Sequence, residues 1–151
     1  MICSDIMKTD VEYVSPQTSV RDAARKMRDL NVGFLPVCDE NMHAIGAITD
    51  RDIAVRGVAD DEPSTARVEH ILTPEVVACS PDDDISYALE LMALHHKSRI
   101  MCINESGRIE GVISLSDIAE ADEYEGASAL REISSREARG AERGSNWSLS
   151  I

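Results

Sequence analysis

A shift of 65 residues lays this chain on itself without a gap, and that internal repeat limits the possible folds more than any other feature of the sequence. The shift pairs Ile6 with Ile71, Val11 with Val76, Ser15-Pro16 with Ser80-Pro81, Ala23 with Ala88, Met27 with Met92 and Glu40 with Glu105. It also pairs Gly46 with Gly111, Ile48 with Ile113, and Asp52-Ile53-Ala54 with Asp117-Ile118-Ala119. An uninterrupted match of this extent predicts two copies of one supersecondary unit related by an approximate twofold axis. In each copy the match is densest where an apolar run ends in a hydroxyl residue, Thr49 or Ser114. Three residues later comes an aspartate, Asp52 or Asp117, followed by Ile-Ala, which reads as a strand giving way to an apolar helix face.

Each copy predicts the order β-α-β-β-α. A short strand, Tyr13-Val14 or Val76 to Cys79, runs into Ser-Pro, and the proline marks the exit from extended chain. Ser19 and Asp84 are good helix N-caps, the first with Asp22 three residues on. Behind them Val20, Ala23, Ala24, Met27 and Leu30, or Ile85, Ala88, Leu89 and Met92, recur at helical spacing. Two hairpins follow: Gly33 to Cys38 with Ala44 to Thr49, and Ser98 to Ile103 with Ile109 to Ser114. The second carries the stronger turn, Asn104-Glu105-Ser106-Gly107. A helix over Arg51 to Val58, or Ser116 to about Ala121, closes each copy. The expected domains are therefore 1–58, an acidic exposed linker 59–67 containing Pro63, 68–122, and a tail 123–151. That tail is expected to form a short helix on Ala127, Leu130 and Ile133 and then a polar end with Trp147 as anchor. One copy of about 50 residues cannot bury its sheet face alone, so the pair is the folding unit.

Charge and cysteine usage exclude several classes. The net charge is −13, with the acidity concentrated in residues 1–122, which opposes binding to nucleic-acid phosphates. An anionic ligand would have to be held by local groups against that field. No apolar run is long enough for a membrane span and no leader pattern is visible, so the expected location is the cytoplasm. Cys3, Cys38, Cys79 and Cys102 contain no Cys-x-x-Cys pair and read as buried reduced thiols. Cys38 and Cys102 lie one residue apart in the repeat register, a placement that would let the twofold bring them together.

The chain resembles the tandem cystathionine-β-synthase (CBS) domain pair, or Bateman module, over residues 1 to about 122. The resemblance rests on Asp5-Ile6-Met7, on Asn31-Val32-Gly33-Phe34-Leu35-Pro36-Val37, on Gly46 through Asp52 with Ile53 following, and on Ser114-Leu115-Ser116-Asp117. The run Thr49 to Gly57 looks like the small stand-alone prokaryotic members. The resemblance implies an α+β fold of two β-α-β-β-α repeats packed about a pseudo-twofold axis. It also implies that adenosine-containing ligands bind in clefts between the repeats: AMP, ADP or ATP, with S-adenosylmethionine or NAD as related candidates. Such modules sense rather than catalyse, and they usually associate through their helices, which implies a homodimer.

Carried over residue by residue, the resemblance assigns phosphate contact to Thr49 and Ser114, with Ser116 as a further hydroxyl, and ribose contact to Asp52 and Asp117. Val32, Gly33 and Phe34 are the matched adenine contacts, opposite the Ser114 motif. A helix N-terminus offers unpaired N–H groups, so phosphate there needs few basic residues. An ionised Asp accepts two hydrogen bonds from a vicinal diol. Arg51 and Lys97 are candidates for further phosphate contacts, although Arg51 could equally pair with Asp50, and Lys97 could be a solvated strand-end charge.

The same residues also spell helix capping boxes, Thr49 with Asp52 and Ser114 with Asp117. One copy alone favours the cap; two copies in a chain resembling a ligand-binding module favour binding, with one cleft allowed to be empty. Repeat two has Lys97, Ser98, Arg99 and Met101 where repeat one has Val32, Gly33, Phe34 and Pro36, so the clefts are not chemically equivalent. The Ser114 cleft is the one expected to fill first. His43, His70 and His95-His96 leave a metal or redox sensor open, and vestigial clefts would leave a structural or protein-interaction module. No nucleophile–base or paired-carboxylate arrangement points to an enzyme.

Overall fold

A computed structural model describes residues 1–122, 130–135 and 138. They divide into two compact units. The Thr49 unit comprises Asp10–Val76 and Ile103–Glu110; the Ser114 unit comprises Met1–Thr9, Val77–Cys102 and the described residues from Gly111 onward. The compact units and the sequence repeats do not coincide: the opening segment of each repeat is grouped with the body of the other, and the tip of the second hairpin, Ile103–Glu110 with the facing ends of its strands, is grouped with the Thr49 unit.

In the Thr49 unit, helix α1 (Val20–Leu30) is capped as its sequence predicts, with the Asp22 amide donating to Ser19 Oγ at 3.0 Å. It ends at Asn31 in the left-handed conformation, φ 54°, which asparagine tolerates. Strands β1 (Phe34–Cys38) and β2 (Ala44–Thr49) form an antiparallel hairpin in which Phe34 faces Thr49 and Val37 faces Gly46, with a bulge at Val37/Cys38. The expected Tyr13-Val14 strand is reduced to one parallel bridge, Val14 to Val37. Helix α2 is short (Asp50–Asp52) and continues as a π-helical turn, Ile53–Val58, where the Ala59 amide reaches back five residues to the Ala54 carbonyl. The linker 59–67 is exposed except for Ala66, as its composition predicts.

The Ser114 unit repeats the plan. Strand β3 (Ala78–Cys79) lies parallel to β4 (Arg99–Ile103), which neighbours β5 (Ile109–Ser114) in a three-stranded sheet. Helix α3 (Ile85–His95) is capped by Asp84, which accepts from the Ser86 amide and hydroxyl, and ends at left-handed His96. Helix α4 (Leu115–Ala121) follows β5 directly.

Each unit has its own core. Leu35, Val37, Ile48 and Ile71 centre the first, and Met92, Ile100, Ile113 and Ile118 the second. Residues 130–135 are helical and Ile133 is buried in the second core. Ala127 and Trp147 lie outside the described residues. Among the described residues no helix is long and apolar enough to cross a membrane.

The grouping of the opening segments has a backbone cause. The turn Val68–His70 docks on the Thr49 unit through Val68 N to Thr18 O, 2.8 Å, and Thr73 then bridges Ala47 on β2. The turn Cys3–Asp5 docks on the Ser114 unit through Cys3 N to Asp83 O, 2.8 Å, and Lys8 bridges Val112 on β5. The glycines of the repeated motif allow these segments to lie close. A Cβ on Gly46 would run into the Thr73 carbonyl oxygen, and one on Gly111 would sit 2.6 Å from Met7 Sδ. Backbone cannot yield as a flexible thioether can. Gly46→Ala is therefore expected to cost about 1–3 kcal/mol in denaturant unfolding, and Gly111→Ala less; equal losses would refute the close-approach account.

Candidate functional site

Both motifs fold as reciprocal capping boxes. At the first, Asp52 N donates to Thr49 Oγ1 and Thr49 N to Asp52 Oδ2, each at 3.0 Å. At the second, Asp117 N donates to Ser114 Oγ at 3.1 Å and Ser114 N to Asp117 Oδ2 at 2.9 Å. The strand delivers the hydroxyl residue in extended conformation and the helix begins at the next residue, so the aspartate must face back across one turn.

Beyond the box the two sites differ. Asp52 is 6% exposed and saturated. The Thr73 hydroxyl donates to Oδ1 at 3.1 Å or Oδ2 at 3.2 Å, and Arg56 Nη2 lies 3.3 Å from Oδ1. Arg56 is itself tied at 3.2 Å to both the Leu72 carbonyl and Thr73 Oγ1. The first three amides of α2 are also occupied: Asp50 N by the Gly33 carbonyl, Arg51 N by Asp50 Oδ1, Asp52 N by Thr49. The expectation of open N–H groups beside Thr49 is therefore not met, because the loop before β1 and the Asp50 side chain reach them first.

At the Ser114 site the Leu115 amide goes to the Ser98 carbonyl and the Asp117 amide to Ser114, while the Ser116 amide has no partner among the described residues. The Ser114 hydroxyl also donates to Asp117 Oδ2 and lies 2.9 Å from Ser116 Oγ. Its one proton being given to the carboxylate, Ser116 is the donor in that pair and keeps lone pairs free. Lys8 Nζ completes the group, 3.1 Å from Asp117 Oδ1. Burial pushes the Asp117 carboxyl upward, but hydrogen bonds from the Ser114 hydroxyl and amide, together with Lys8, outweigh it and hold the group below the usual carboxylate range.

The remaining sequence-predicted residues are placed as follows. Arg51 is exposed and its guanidinium forms no ion pair among the described residues, so the pairing with Asp50 is not made; Asp50 instead takes the Arg51 backbone amide. Gly33 lies under that carboxylate, 2.7 Å from Asp50 Oδ2 to where a Cβ would stand. Val32 packs against the core of its own unit, and Phe34 is half-buried opposite Thr49 in the hairpin. Lys97 closes the end of α3 through its amide, 2.9 Å from the Met92 carbonyl. Sequence reading passed over Lys8, Thr73 and Arg56. A signal for two of them existed, since Lys8 and Thr73 occupy equivalent positions in the 65-residue register; they went unnoticed because they are not identical.

All four cysteines are free and buried. Cys102 Sγ lies 3.7 Å from Cys79 Sγ, and Cys79 lies 3.6 Å from Cys3, so the sulfur neighbour of Cys102 is Cys79. Burial pushes the Cys3 thiol up to about 12, helped by Cys79, and the Cys38 thiol up to about 11, helped by Asp39. These two stay protonated and weakly nucleophilic at neutral pH. Among the described residues no group of three or more His, Cys, Asp or Glu is arranged to hold a metal.

Comparison with known proteins places this geometry in context. The family model described as CBS domain matches residues 3–57 and 68–124. The protein YlbB of Bacillus subtilis is 34% identical over 133 residues, covering 86% of this chain and 89% of YlbB. A structure of hypoxic response protein I with two coordinated zinc ions superposes with a TM-score of 0.73 at 28% identity, over 80% of this chain and 98% of that one. The CBS domain pair of protein MJ0100, in complex with 5′-methylthioadenosine and S-adenosyl-L-methionine, gives 0.72 at 23% identity over 80% and 94%. CBSX2 in complex with AMP gives 0.70 at 21% identity over 80% and 94%. At those two identities the likeness is one of fold.

The lowered Asp117 group makes a pH prediction. A carboxyl with a folded pKa below its unfolded value of about 3.9 adds stability that is present above that value and lost as pH falls through the folded one. Thermal melts between pH 7 and 3 should therefore show a steeper acid loss for the native chain than for Asp117→Asn; parallel curves would count against the Ser114–Asp117–Lys8 network.

Proposed function

Because the chain belongs to the CBS domain family, we propose that it is a regulatory module that binds an adenosyl ligand and alters its self-association or its affinity for a protein partner in response. The ligand in this reading is AMP, ADP or ATP, with S-adenosylmethionine and NAD as related candidates. The observation that carries it is the Ser114 group: a carboxylate able to accept from a ribose diol, beside the Ser116 hydroxyl, which can turn its proton from Ser114 to a phosphate oxygen, and the Ser116 amide, which has no partner among the described residues. The adenosyl ligands of the MJ0100 and CBSX2 structures support the choice of ligand class. A bound ligand shifts such a module only through its differential affinity for two states.

The Thr49 motif fits a different weighting. Its aspartate and amides are already satisfied, so a ribose there would have to displace Thr73 or Arg56. In this reading Thr49 and Asp52 act first as a cap, Arg51 stays available to a phosphate, and the Ser114 motif fills first. Val32, Gly33 and Phe34 keep the adenine role, with the Asp50 carboxylate restricting access to Gly33. Lys97 is a further phosphate candidate.

Self-association is part of the proposal. Tyr87 and Leu94, one above the other on α3, are 46% and 61% exposed, an apolar face suited to a second copy.

Calorimetric titration with AMP, ADP, ATP, S-adenosylmethionine and NAD tests the ligand. At least one should bind, with Ser116→Ala, which leaves the capping box intact, weakening it roughly 10-fold and Arg51→Ala weakening it less. No binding at millimolar concentration would sink the reading. Light scattering should give about twice the 16.5 kDa chain mass, falling to the monomer value in Leu94→Asp; a native monomer would remove the dimer.

A further inference from the structure

The two motifs carry a cation on their aspartate from different places and with different freedom. In the Thr49 unit it is Arg56, held by Asp52, the Leu72 carbonyl and Thr73 together. In the Ser114 unit the position equivalent to Arg56 is Ala121, and the cation is Lys8, which stands where the first motif has Thr73. Lys8 and Thr73 sit on the same rung of their units. Lys8 exchanges backbone hydrogen bonds with Val112 at 2.9 and 3.0 Å, as Thr73 does with Ala47 at 2.8 and 2.9 Å. The Lys8 backbone is thus fixed beside the site, while its side chain is 73% exposed and pairs with Asp117.

We propose that Lys8 sets the ligand class of the Ser114 group, selecting adenosyl ligands that bear a 5′-phosphate over adenosyl thioethers that bear no charge there. This rests on the adenosyl-binding reading above. Paired at 3.1 Å, the Lys8 ammonium neutralises Asp117. An ion pair with so exposed a partner contributes little, so Lys8 leaves Asp117 at small cost when a ribose diol takes the carboxylate. The freed ammonium, beside a carboxylate that Ser114 links to Ser116, is then available to an anion, and its charge-assisted hydrogen bonds reward a phosphate specifically. Arg56, with three simultaneous partners, has no such freedom, and the Thr73 hydroxyl carries no charge. Lys8 therefore acts as a counter-ion released by the ligand. It also answers how a chain of net charge −13 holds an anion: the charge is local and able to change partner.

The test is calorimetric titration of the full chain with AMP and with 5′-methylthioadenosine, for the native protein and for Lys8→Thr, which copies the first motif, and Lys8→Arg. The expected result is roughly a 10-fold loss of AMP affinity in Lys8→Thr, methylthioadenosine affinity changed less than about twofold, and AMP binding restored in Lys8→Arg. The AMP affinity of the native chain should also fall with added salt more steeply than that of Lys8→Thr. Equal losses for both ligands would make Lys8 only a support for Asp117 and overturn the proposal while leaving the adenosyl reading intact. An unchanged ratio would do the same. Failure of the native chain to bind either ligand would remove both.

Discussion

The two motifs depend on one reciprocal hydrogen-bond pair, in which a hydroxyl accepts from the aspartate amide and the aspartate accepts from the hydroxyl residue's amide. That exchange fixes where each strand stops and each helix starts, and it holds the carboxylate on one side of the junction. Binding and capping are therefore not rival explanations of the same residues. Each box uses the Oδ2 atom of its aspartate for the cap, and the two motifs differ in what reaches the remaining oxygen. At Asp52 it is a crowded set of protein groups; at Asp117 it is a single exposed lysine.

A second constraint follows from how the opening segments lie. The motif glycines are the places where another stretch of backbone comes within contact distance of a strand, so their small size is a packing requirement. The same approach places position 73 over Asp52 and position 8 over Asp117, and the identity of that residue then decides the local charge. A duplicated framework with one divergent position yields two sites of unlike chemistry. The thiols play no part in this difference: where burial raises the pKa of Cys3 and Cys38, it leaves them as small apolar side chains of their cores.

Helices, hairpins and caps were legible in the residues because each has a short-range cause. Ser19 and Asp84 cap where hydroxyl and carboxylate side chains reach the next turn, and the left-handed ends at Asn31 and His96 recur at the repeat interval. The Tyr13-Val14 strand and the continuous helix after Arg51 were less legible. One has only a single rung of pairing to support it, and the other passes into a π turn at buried Gly57.

By itself the sequence determined the duplication, the order of elements and the residue types at both motifs, since these depend on periodicity and on neighbours within four residues. It could not decide which amides remained open, which carboxylate was saturated, or that Lys8 and Thr73 stand over the motifs. Those outcomes depend on contacts between residues far apart in the chain, Lys8 with Asp117 and Thr73 with Asp52, and only the tertiary structure brings them within hydrogen-bonding distance.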